Sequence, residues 1–198
     1  MPVAAPGATE SDIRRRAVDA ALICVERHGL AKTTLDDVAR QAGCARASLY
    51  RHFGGKRQLV AVAVDAEGAR IAAVLHAETA VAETLEDAMV AALVGAAREL
   101  RGHRALQFLL AHEPATILTW VTFDAGDRFL TETATALAPC FARFLSDERA
   151  ERAAEWLTRL VLAYAVGPES PRDLTNEDET RSLVRELVLP AFEPALRG

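Results

Sequence analysis

The chain is poor in the features that mark enzymes, secreted scaffolds and membrane proteins. It has only three cysteines, Cys24, Cys44 and Cys140, and no CxxC pair. An odd, scattered set excludes a disulfide framework and fits a reducing cytoplasm. Cys24 and Cys44 fall at apolar helix positions, where a thiol serves as a small core group. No apolar run approaches the roughly 18 residues that span a bilayer. The first ten residues have neither a basic segment nor an apolar stretch, so they do not read as a signal peptide. Pro2, Pro6 and Gly7 mark 1–10 as a disordered tail. Aromatic residues make up 6% of the chain, and there is no convincing strand pattern. Glycine-rich phosphate loop, nucleophile elbow and paired carboxylates are all missing. His103 and His112 stand nine apart with no third ligand at metal spacing. No catalytic residue, cofactor or metal is therefore expected, and the chain does not read as an enzyme.

Charge is unevenly placed instead. The net charge is −5, yet residues 11–60 hold ten Lys and Arg against five Asp and Glu. A basic first quarter on an acidic body is the asymmetry expected when one end meets phosphate. Apolar spacing of three and four residues recurs along the chain and gives nine or ten helices. The first runs from Ser11 to His28 and ends at Gly29, a residue suited to a left-handed termination. Thr34, with Asp37 three residues on, opens a second short helix through a capping box. Gly43 supplies a turn, and Ala45–His52 form a third helix. Longer helices are expected over Lys56–His76, Thr84–Leu100, 103–113, Asp127–Leu145, Ser146–Val166 and Asn176–Leu189. Breaks fall at Gly102, Pro114, Pro139, Gly167–Pro168 and Pro190.

Two short helices joined by a glycine-containing turn make a helix-turn-helix. Leu49 and Phe53, four apart, hide one face of the second helix. That leaves Arg46, Ala47, Ser48, Tyr50 and Arg51 outward. Arginine bonds guanine edges bidentately, serine bonds several bases, and an alanine methyl packs on thymine. Tyr50 and His52 can reach phosphate. Lys56 sits at a helix N-terminus, where a cation opposes the helix dipole; a phosphate held jointly with the free amides would explain it. Arg14, Arg15 and Arg16 read either as backbone contacts or as a solvated face.

The stretch Arg16–Val64 resembles the DNA-binding region of the TetR/AcrR family. The resemblance rests on Ala20-Ala21, Gly29, Thr33-Thr34, Val38-Ala39, Ala42-Gly43, Ser48-Leu49-Tyr50, His52-Phe53 and Lys56. It implies an all-α protein: an N-terminal three-helix DNA-binding domain over 11–57, then a larger helical ligand-binding and dimerisation domain over 58–198. It also implies a homodimer on a double-stranded DNA operator, released by a small-molecule effector, with no membrane partner. Carried over by position, Thr34, Tyr50, His52 and Lys56 match phosphate contacts, while Arg46, Ala47, Ser48 and Arg51 match the base-reading stretch. The sequence departs from the family at Ala45, where a capping Ser is usual, at Gly55, often Ser or Asn, and at Val25, usually aromatic.

Beyond residue 58 the reading is looser. His103, Phe108, His112, Trp120, Phe123, Phe129 and Tyr164 are candidates to line a pocket for a largely apolar effector. The same residue types also build helical cores. Trp156, Leu157, Leu160 and Val161 form one apolar stripe, and Leu183, Val184 and Leu187 another, together the candidate dimer interface. Two rivals stay open: a repressor controlled by a protein partner or by abundance, and a helical enzyme with a vestigial reader.

Overall fold

A computed structural model describes residues 10–117, 126–165 and 172–192. Among these the chain is helical with no strand. The helices are α1 (Glu10–Lys32), α2 (Leu35–Ala42), α3 (Arg46–Phe53), α4 (Lys56–Thr79), α5 (Leu85–Gly102), α6 (Arg104–His112), α7 (Gly126–Leu137), α8 (Asp147–Ala165) and α9 (Glu177–Leu183). Residues 114–117 are also helical. The expected tail lies outside the described residues except for Glu10, which opens α1.

Local chemistry sets the helix ends. Thr34 and Asp37 form both halves of a capping box at α2, and Thr84 accepts from the Asp87 amide at α5. Asn176 accepts from the amides of Asp178 and Glu179 at α9. Each arrangement satisfies amides that the first helical turn leaves free. Pro139 falls in a 3-10 turn that follows α7. α9 passes into one wide turn over Val184–Val188 before a 3-10 turn at Pro190.

The chain divides into two compact units. The first comprises 1–68 and 104–117, and the second 69–103 and 118–198. The reader unit is thus larger than 11–57. It reaches Gly68, and it takes in α6 because α6 packs along α1. Its core joins Ala17, Ala21 and Cys24 of α1 to Val38 of α2, Leu49 and Phe53 of α3 and Leu59 of α4. The second unit buries Leu75, Met89, Leu93, Phe141, Leu157 and Leu183 in a core of its own. Burial pushes the Cys24, Cys44 and Cys140 thiols upward from their usual range.

Gly29 breaks α1 at φ 80° and ψ 166°. The break lets Thr33 donate from both its amide and its hydroxyl to the Gly29 carbonyl, at 3.2 and 2.6 Å. Beyond it the Ala31 amide donates to the Glu113 carboxylate at 3.1 Å. That bond ties the end of α1 to the residue that follows α6.

Candidate nucleic-acid interface

The turn between α2 and α3 is held from three sides. Gly43 takes the left-handed conformation (φ 63°, ψ 39°), and its amide returns to the carbonyls of Ala39 and Arg40. The Cys44 amide reaches the Ala39 carbonyl at 3.0 Å. Arg16 donates through Nε and Nη2 to the Ala42 carbonyl, and through Nη2 to that of Gly43 at 3.0 Å. A guanidinium on α1 therefore sets the angle at which α3 leaves the turn. The neighbouring arginines are engaged too: Arg15 pairs with Asp12 at 3.4 Å, and Arg14 lies 5.4 Å from the Phe53 ring centroid.

α3 starts at Ala45 with no side-chain cap. Only backbone closes its first turn, Ser48 donating to the Ala45 carbonyl at 2.9 Å. A serine at 45 would add an acceptor for the free amides. Ala45→Ser is expected to stabilise the protein by about 1 kcal/mol, seen as a raised melting temperature; an unchanged or lower one would contradict it.

Leu49 and Phe53 bury α3's inner face. Arg46, Ala47, Tyr50 and Arg51 are exposed, and Ser48 is half-buried. Arg46 is not loose. Its Nη1 meets Asp36 Oδ2 at 2.7 Å, its Nη2 stands 3.5 Å from the Tyr50 hydroxyl, and its guanidinium lies 5.4 Å from the Tyr50 ring centroid. Hydrogen bonding to Tyr50, then the Asp36 charge, raises its already high pKa further. Arg51 engages no partner among the described residues.

Three expected phosphate contacts have other partners. His52 turns inward: its side chain is 9% exposed and Nδ1 lies 3.3 Å from Glu10 Oε1. Three residues from Leu49, it shares the buried side of the helix. Lys56, a helix-start cation with no evident structural partner in the sequence, has one. Its Nζ donates to the carbonyls of Leu30 and Ala31 at 2.6 and 3.4 Å, part of the negative end of α1. One of its three N–H donors remains. Thr34 is committed to its cap, its hydroxyl donating to Asp37 Oδ2 at 2.6 Å. That hydroxyl and the Thr34 amide hold the Asp37 carboxyl below the usual carboxylate range. Asp36 was not legible as a partner, since its pairing with Arg46 crosses a turn whose angle spacing does not define.

The model of the bacterial regulatory proteins of the tetR family matches residues 17–63, which span most of α1, all of α2 and α3, and the start of α4. An HTH-type transcriptional regulator of Mycobacterium tuberculosis is 26% identical over 185 residues, covering 91% of this chain and 85% of that protein. Over residues 17–63 the chain matches the tetR family. A stretch of the chain is also 45% identical over 49 residues to the regulator BetI of Agrobacterium fabrum, 24% of each chain. In fold, the chain is similar to the TetR family repressor AlkX of Dietzia sp., implicated in biodegradation of n-alkanes (TM-score 0.70, 20% identity, 90% of this chain and 94% of that one). It is also similar to the multidrug binding protein EbrR complexed with imidazole (TM-score 0.63, 19% identity, 92% and 91%). TetR proteins are regulators of transcription, not enzymes.

The described effector candidates are divided between the two units. Phe108 and His112 lie on α6 in the reader unit, ring centroids 4.5 Å apart, and Phe108 packs at Gly29. His103, Phe129 and Tyr164 belong to the second unit, each half-buried. Trp120 and Phe123 lie outside the described residues. Two depressions of the second unit, one along Leu130, Ala134, Arg152 and Glu155 and one along Leu85, Phe144, Leu189 and Phe192, include none of the five described candidates.

The interface candidates separate as well. Leu157, Val161, Leu183 and Val184 are buried in the chain's own core, against α5 among others, so they are closed to a second copy. Trp156 and Leu187 are 57% and 64% exposed. With half-buried Leu160 and exposed Ala163, Trp156 forms an outward stripe at spacings of four and three. No described helix is long and apolar enough to cross a membrane.

Proposed function

We propose that the chain is a cytoplasmic repressor that binds a pseudo-palindromic operator as a homodimer and is released by a small-molecule effector. The observation that carries the reading is the two-sidedness of α3. Two apolar anchors fix the helix, and Arg46, Ala47, Tyr50 and Arg51 stand free of the core. A two-fold protein would set two such helices about one DNA turn, roughly 34–36 Å, apart. The outward Trp156–Leu160–Ala163 stripe and Leu187 supply apolar surface for the second copy. EbrR, a multidrug binding protein of similar fold complexed with imidazole, supports a small-molecule effector.

Salt titration separates the residue roles. Arg51→Ala should relax base preference at one position about tenfold, the value of a bidentate pair. Lys56→Ala should weaken binding to every sequence alike and lower the salt slope by about one phosphate. It also strips a donor from the Leu30 carbonyl, so a stability loss of about 1 kcal/mol accompanies it. Indistinguishable titrations of the two variants would overturn these roles.

A further inference from the structure

We propose that Asp36 is a positioning residue for base reading, and that the Asp36–Arg46 pair, rather than Arg46 alone, sets the preference at one base pair of each half-site. The inference rests on α3 being the reading helix. A free arginine on an exposed eight-residue helix samples many rotamers, and only a few aim its planar fork at a base edge. Here the fork is fixed from two directions. Asp36 on α2 takes Nη1 at 2.7 Å, and the Tyr50 ring backs the guanidinium at 5.4 Å. The carboxylate takes Nη1 and the Tyr50 hydroxyl stands 3.5 Å from Nη2, which leaves Nε and a second Nη2 hydrogen as donors for guanine O6 and N7.

Both partners are about half exposed, with side chains 54% and 52% accessible, so the pair adds little to folding. Its stronger consequence is directional. Asp36 also places a negative charge beside a surface meant for phosphate, which disfavours DNA of any sequence. The two effects have opposite signs on affinity and the same sign on selectivity: Asp36 holds Arg46 ready for the right base and weakens everything else.

The test is a cycle of wild type, Asp36→Asn, Arg46→Ala and the double variant. Each is assayed on the operator selected by wild type from a random pool, and on scrambled DNA. Asp36→Asn should bind scrambled DNA a few-fold more tightly and lose about tenfold in operator-to-scrambled selectivity, with an unchanged melting temperature. In the Arg46→Ala background the same change should cost no further selectivity. Equal shifts on both DNAs, or an equal loss of selectivity with and without Arg46, would overturn the role of Asp36. So would unaltered selectivity in Asp36→Asn while the wild type still selects. A wild type that selects no sequence would instead overturn the operator reading, and this inference with it.

Discussion

Gly29→Ala is expected to destabilise the reader by about 3 kcal/mol, the sum of two separable penalties. The first is conformational. At φ 80° and ψ 166° Gly29 occupies a region essentially closed to residues with a Cβ. The second is steric. An added Cβ would overlap Glu113 Oε1 and come 3.0 Å from Phe108 Cε1. Glu113 can swing away, but only by giving up the Ala31 amide. Far-UV circular dichroism melts of Gly29→Ala, Glu113→Ala and the double variant separate the terms. The double variant should recover only the overlap with Glu113 and keep the backbone cost. A Gly29→Ala protein within about 0.5 kcal/mol of wild type would show that the break in α1 is not needed.

Leu49→Ala should cost about 3 kcal/mol, in the range for burying a methyl in place of a leucine. Its effect on DNA binding should exceed its effect on melting. α3 has eight residues, no side-chain cap, and only Leu49 and Phe53 buried. A helix that short has little stability of its own, so its order depends on what it packs against. Losing Leu49 should free the α3 amides to exchange with solvent before the rest of the reader does. Arg51→Ala, on the exposed face of the same helix, should leave exchange unaltered. Wild-type protection of α3 in Leu49→Ala would mean that the helix is held by something other than its inner face.

What the sequence made legible was local. Thr34 and Asp37 are three residues apart, so their mutual capping could be foreseen. Gly29 and Gly43 stand where a left-handed or open backbone is needed. Leu49 and Phe53 follow from helical spacing alone. The contacts that could not be foreseen join distant segments. Lys56 looked stranded because Leu30, whose carbonyl it meets, lies 26 positions earlier. His52 read only as within reach of phosphate because Glu10, which its ring meets, lies far back at the start of α1. Leu183 and Val184 looked like an interface because an apolar stripe reveals that a face is covered, not by what. The described pocket candidates divide between the units for a related reason: aromatic spacing carries no information about which unit a helix joins, and α6 joins the reader.

The discontinuous reader bears on how such a protein can be cut and recombined. A fragment ending at Gly68 would lack α6 and leave its seat on α1, beside Gly29, open to solvent. A chimaera that takes a foreign reader through a single crossover after α4 would pair that reader with an α6 from a different parent. Transplanting specificity between relatives therefore calls for two exchanged segments, 1–68 and 104–117, with Gly29, Phe108 and Glu113 inherited from the same parent.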